Sequence, residues 1–166
     1  TVFVKADFDT DATYAALLSI RHPLNNYNFI DLLRYGSTND IAYRLRKSDG
    51  TGFFKLYGGA TQVVINDEKT FAGTWDGTMD VFQDGVADTP YDKVADAAGA
   101  QTNTDRSIGI GASTLGTSFF DGIISFVYIK NTADSADYLL TLTQNLENPT
   151  TTGTAPFYNS TGEVQY

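Results

Sequence analysis

The stretch TSFFDGIISFVYIKN, residues 117–131, decides the fold. As an extended chain it is apolar on both sides: Ile123, Val127 and Ile129 lie on one, Ile124, Phe126 and Tyr128 on the other. Only Asp121, Gly122 and Ser125 interrupt it. A membrane helix needs about 20 consecutive apolar residues, so this run is too short and too broken to be one. A strand with one wet face alternates apolar with polar side chains. A strand apolar on both faces has to be covered on both, which predicts a layered β-structure with a further element packed over it. Asp121-Gly122 reads as the break at which the long strand bends, with Val127 and Ile129 turned into the core. Phe126 and Tyr128 then require a cover of their own. A C-terminal helix, the tail or a neighbouring subunit would supply it, which makes both rings candidate interface residues.

The same period-two patterning runs outward from this stretch. VFVKADF (2–8), YAALLSI (14–20), NFIDLLRY (28–35) and DIAYRLRK (40–47) read as strands separated by polar or Gly/Asn/Asp breaks. FFKLYG (53–58) and TQVVIN (61–66) predict a hairpin around Gly58-Gly59. TMDVFQDG (78–85) ends in Asp84-Gly85, a dipeptide that tolerates positive φ and closes tight hairpins, and RSIGIGA (106–112) follows. SADYLLTLTQNLENP (135–149) predicts the helix: Ser135 or Asp134 caps it, Tyr138, Leu139, Leu142 and Leu146 share a face, and Pro149 lies past its end. The Thr/Gly/Pro-rich segment 148–163 reads as extended. The expected organisation is therefore one domain over 1–147 and a tail or linker over 148–166.

Composition agrees with a β-rich globular domain. The 166 residues suffice for one sizeable core, and Tyr, Phe and Thr suit a pleated, half-buried surface. A net charge of −9 excludes the electrostatic footprint of a nucleic-acid or anionic-membrane binder. The charge is uneven: seven of the eleven Lys/Arg but only six of the twenty acidic residues fall in residues 1–60. That half can hold a local cationic spot. Cysteine is absent, which removes disulfides and thiolate chemistry. Thr1 rather than Met opens the chain on a strand-like pattern, which predicts a processed product or a piece of a longer protein.

The order TWDGTMDVFQDGV (74–86), RSIGIGA (106–112), FFDGIISFVYIKN (119–131) and then a short helix resembles the laminin-G-like branch of the concanavalin A-like lectin/glucanase superfamily. Asp84 and Gly85 match that family's hairpin, and Ile108 and Gly109 its middle strand. Phe120, Asp121, Gly122, Ile124, Val127 and Ile129 match its aromatic-Asp-Gly strand. TVFVKADFD (1–9) looks like its early strand, although the strand that usually comes before is missing. The resemblance covers residues 1 to about 145 and implies an all-β jelly-roll sandwich of two antiparallel sheets with one short C-terminal helix.

Catalysis is poorly supported. Glucanases of that superfamily place acids at alternate positions on one strand, and a retaining pair sits about 5 Å apart. Here Asp80 and Asp84 are four residues apart, the second in a turn, and the single histidine, His22, precedes a proline. The resemblance also implies a rim Ca²⁺, a hard cation held by oxygen ligands, for which Asp88, Asp92 and Asp105 are the candidates. Asp7, Asp9 and Asp11 alternate in a second acidic run. Sugar recognition needs an aromatic face and polar groups beside it. Trp75, Tyr35, Tyr57 and Tyr91 are candidate stacking platforms, and Arg34, Arg44 and Arg46 a candidate basic patch on neighbouring strands. The expected function is non-catalytic recognition, a glycan-binding or adhesion module of an extracellular, cell-surface or virion-surface protein. The partner would be a glycan or a surface protein, with a homo-oligomer or virion assembly as the setting. A structural virion subunit, such as a bacteriophage decoration or tail-fibre domain, is the second expectation, and a polysaccharide-cleaving enzyme a distant third.

Overall fold

The computed structural model describes residues 1–10, 14–21, 29–35, 40–46, 53–58, 63–88, 90–93, 107–112, 118–147, 157–158 and 164–165, the side chains of 46, 53–58, 90–93, 157–158 and 164–165 excepted. Two antiparallel sheets pack face to face. The first runs β11 (Gly122–Ile129), β1 (Val2–Phe8), β6 (Lys69–Trp75), β7 (Met79–Gln83), β8 (Val86–Ala87). The second runs β10 (Ser107–Ile110), β2 (Tyr14–Arg21), β3 (Phe29–Tyr35), β4 (Asp40–Arg46), β5 (Phe53–Gly58), β9 (Pro90–Lys93). A helix, α1 (Ala136–Glu147), follows β11. Beyond it β12 (Phe157–Tyr158) pairs with β13 (Val164–Gln165). The expected two-sheet sandwich with one short helix is the fold.

Alternation in β1 explains why both of its faces are dry. Val2, Val4, Ala6 and Phe8 enter the core between the sheets, where Phe8 meets the edges of Phe71 and Phe120 at 5.9 and 4.9 Å between ring centroids. Phe3 points the other way and forms a second cluster with Ala72, Phe82 and Leu139 of α1. Burying a phenylalanine stabilises by roughly 1.5–3 kcal/mol, so each face of this strand carries weight. Phe126 and Tyr128 of β11 pack into the second cluster with Tyr138, Leu142 and Leu146. The helix is thus the cover that the opening stretch required. Ser135 is its cap, its Oγ accepting the Tyr138 N–H at 3.2 Å. Thr143 is buried against the sheet, its hydroxyl 2.8 Å from that of Thr70.

Three expectations need correction. Residues 63–66 are not a strand. Ile65 and Asn66 form a turn in which Asn66 takes φ 58°, and β5 pairs with β4 and β9 instead. The strand β6 (KTFAGTW) went unread because its small side chains blur the alternation. They are needed there: a Cβ on Gly73 would lie 2.3 Å from the Tyr43 ring. Finally, Asp121-Gly122 does not bend a strand midway but precedes and starts it, with Gly122 at φ 142°. The irregularity falls at Ser125, the extra residue where the register slips from Lys5↔Phe126 to Ala6↔Ile124. The Ser125 hydroxyl donates to Glu68 at 2.6 Å, and that bond, followed by Lys5, holds the Glu68 carboxyl below its usual range. Val127 packs on the inter-sheet core as expected, whereas Ile129 stays partly exposed. The Asp84-Gly85 hairpin closes as read, both residues at positive φ, 51° and 73°.

Candidate functional site

Chemistry gathers on the outer face of the second sheet, the face turned away from the core. The register of β2 explains how it gets there. Ala15, Leu17 and Leu18 all join the inter-sheet core, because the pairing of β2 with β3 slips between Ala16 and Leu18. A bulge of this kind re-aims every side chain beyond it. Without it Ser19 and Arg21 would share the face of Ala15 and Leu17; with it they join Tyr14 and Ala16 on the outside. On β3 the outer positions are Phe29, Asp31, Leu33 and Tyr35; on β4 they are Asp40, Ala42 and Arg44.

Cross-strand pairing lines these residues up. Ser19 stands opposite Asp31, which stands opposite Arg44; Arg21 stands opposite Phe29. Asp31 is the hub. Its carboxylate is 1% exposed and accepts from the Ser19 hydroxyl at 2.8 Å, Arg21 Nε at 2.9 Å and Arg44 Nη2 at 2.7 Å, with Arg21 Nη2 also on Oδ2. Both guanidinium groups lie over the Phe29 ring, at 4.4 Å for Arg21 and 5.5 Å for Arg44, and Arg44 also lies 5.8 Å from the Tyr35 ring centre. Two cations share one carboxylate, and each guanidinium carries five N–H donors in a rigid fork. Clamping by a carboxylate and a ring fixes each fork in advance, which lowers the entropic cost of taking up an anion. At the other end of the face Tyr14 meets Tyr35 edge-on at 5.0 Å. Its hydrogen bond with Tyr35 pushes the Tyr14 hydroxyl above its ordinary pKa. Tyr14 is 45% exposed, so its ring faces solvent, while Tyr35 packs on the buried Ala16, Leu33 and Ala42.

The predicted residues divide. Tyr35 and Arg44 belong to the cluster. Arg34 does not: three residues from Asp31 it takes the opposite face of β3, is 1% exposed and donates to the Thr10 carbonyl at 3.3 Å. Period-two alternation forbids Arg34 from sharing a face with Arg44's partner Asp31, so the three-arginine patch is corrected on that point. The backbone sets Arg46 opposite Phe29 and Tyr57 opposite Ala42, and Tyr91 lies in β9; all three side chains fall outside the described residues. Of the Ca²⁺ candidates, Asp105 and the Asp92 side chain fall outside them too, while the Asp88 amide donates to Val81 O. Among the described residues no group of three or more His, Asp or Glu is placed to hold a metal. Ser19, Arg21, Phe29 and Asp31 escaped the sequence reading. Ser19, Arg21 and Asp31 carry a signal, a polar residue inside an apolar strand, but the β2 bulge hides their shared face.

Trp75 sits elsewhere. It packs against the inter-sheet core, where it lines a half-open cavity of about 420 Å³ with Ile20, Ile30, Tyr43 and Leu45, the inward residues of the second sheet. Burial there pushes the Tyr43 hydroxyl well above its ordinary pKa. The sheet itself separates this tryptophan from the arginines. Trp75→Ala is therefore expected to destabilise the domain by about 2–4 kcal/mol in urea unfolding while leaving unchanged the affinity of any ligand that takes the outer face. Lost affinity with unchanged stability would reverse the assignment.

Neither a protein-family model nor a curated protein sequence matches the chain. Solved structures do. The family-40 carbohydrate-binding module (CBM40) of the Ruminococcus gnavus IT-sialidase, bound to α2,3 sialyllactose, superposes with a TM-score of 0.69 at 20% identity, over 86% of this chain and 80% of that one. The leech intramolecular trans-sialidase gives 0.69 at 18% identity over 96% of this chain, and a NanB sialidase variant of Streptococcus pneumoniae 0.65 at 17% over 84%. This chain spans about a quarter of those two enzymes, 24% and 23%. The matches show a β-sandwich, the expected fold, without singling out the laminin-G branch, and at these identities the fold is what the chain shares with them.

Proposed function

We propose that this chain is a non-catalytic glycan-binding module that takes an acidic sugar on the outer face of its second sheet. The observation that carries the reading is the Asp31 hub, which holds Arg21 and Arg44 as two preset cationic forks between Phe29 and Tyr35. A sugar carboxylate would take the fork-to-carboxylate geometry that arginine favours, and the exposed Tyr14 ring, braced by Tyr35, would face the apolar side of the same or the next ring. Support comes from the fold, since the Ruminococcus gnavus CBM40 has been solved with both α2,3 and α2,6 sialyllactose. A sialic acid is accordingly the first acid to try. Such a module acts where glycans stand, outside the cell; among the described residues no helix is long and apolar enough to cross a membrane.

Calorimetric titration with 3′-sialyllactose, 6′-sialyllactose and neutral lactose tests the reading. Binding of the acidic sugars alone is expected. Arg44→Gln should weaken it about tenfold or more, the worth of a charged hydrogen bond. Absence of binding to these and to a wider array of uronic and sialic acids, or an Arg44→Gln protein that binds as tightly as the parent, would overturn it.

A further inference from the structure

The opening stretch has one more surface that no strand covers among the described residues. In β11 one face meets the core and the other meets α1, but its outer edge has no strand beside it among the described residues. The direction of its free groups follows from two bonds. Lys130 N–H donates to Thr1 O, and Asp9 N–H donates to Asp121 O. Alternation along an antiparallel ladder then turns the backbone groups of Gly122, Ile124, Val127 and Ile129 away from β1.

Natural sheets blunt such edges with short strands or with charge. The other edge strands here are short: two residues in β8, four in β9 and four in β10. By contrast β11 has eight, GIISFVYI, without a single Asp, Glu, Lys or Arg. Large apolar side chains also stand in water around it. Ile123 is 61% and Ile129 40% exposed, and on neighbouring β10 Ile108 and Ile110 are 57% and 56% exposed. The Phe120 N–H bond to Gly111 O, 2.8 Å, holds the end of β10 beside the start of β11, so these residues border one seam.

We propose that β11 is a self-association edge, on which a second copy of this chain adds its own β11 antiparallel to the first. Charge selects this occupant. Asp121 precedes the uncharged run and Lys130 ends it. The Lys130 ammonium also donates to Asp134 at 2.5 Å and lies 5.8 Å from the Tyr138 ring centre. Antiparallel self-pairing therefore sets Asp121 of each copy toward the Lys130–Asp134 pair of the other at both ends of the new ladder, within reach of its ammonium. A parallel arrangement would instead set like charges together. The two five-stranded sheets then continue into one another, closing an edge that has no partner strand among the described residues, and the arginine cluster on the other sheet remains outside the contact.

Sedimentation velocity over a range from about 1 to 500 µM, a span that covers weak and strong association, tests this. A concentration-dependent dimer is expected. Val127→Pro deletes one outward N–H and no bond to β1, an edge position that tolerates proline, and should give a monomer with unchanged circular dichroism. Should Val127→Pro fail to fold, exposed Asp121→Lys carries the test: facing Lys130 of the second copy, it should weaken the dimer at least about tenfold at low salt. A parent protein that stays monomeric throughout, or a dimer indifferent to both substitutions, would overturn the proposal.

Discussion

Asp31→Ala is expected to lower the unfolding free energy by about 3 kcal/mol, the lower end of the range for breaking a buried ion pair. The carboxylate is 1% exposed and holds two guanidinium groups and the Ser19 hydroxyl. Removing it leaves two cations facing each other over Phe29 without their counter-charge. Their side chains are 11% and 17% exposed, so water reaches them and relieves part of the penalty. Urea unfolding would show the loss as a shifted midpoint at unchanged slope. The same substitution frees both forks to rotate, so affinity for an acidic glycan should fall with stability. Asp31→Asn keeps the shape and the Ser19 contact and should fall between. A midpoint shift of the size of an ordinary surface substitution, about 0.5 kcal/mol or less, would mean that Asp31 does not hold the site together.

Gly122→Ala is expected to cost as much or more, about 3–5 kcal/mol, from two separate sources. At φ 142° an L-side chain is strained, and the added Cβ would lie 2.0 Å from the carbonyl oxygen of Asp7. That oxygen belongs to the backbone of the neighbouring strand, so it cannot swing aside as a side chain would. The start of β11 would have to leave β1, and the Asp9 N–H bond to Asp121 O with it. Gly77 is the control. It also has positive φ, 114°, yet its Cβ would meet nothing within 4 Å, so Gly77→Ala should cost only the strain, about 1–2 kcal/mol. The gap between the two variants measures the close approach, and equal losses would show that backbone strain alone is at work.

Much of the fold was legible because it rests on local rules. Two-sided apolarity in residues 122–129 required a cover, and the capped 3.6-period run that follows supplied it as α1. Asp84-Gly85 named its own hairpin, since few other dipeptides accept positive φ twice. By contrast β6 was invisible: its Gly73 is explained by the ring of Tyr43 lying against it, a neighbour distant in sequence.

The site was less legible, for a reason of register. Alternation assigns faces only while pairing stays regular, and a one-residue slip exchanges them. In β2 the slip near Leu17 brings Ser19 and Arg21 round to the face of Asp31 and Arg44, and nothing in YAALLSIR announces it. In β3, where pairing is regular, strict alternation would have been enough to remove Arg34 from the patch. The sequence by itself therefore determined most of the strands, the turn, the helix and the need to bury both faces of GIISFVYI, because each is written in the preferences of adjacent residues. Only the tertiary structure decided which polar side chains meet, because a bulge, a close approach and a cross-strand pair depend on a partner strand that local sequence does not contain.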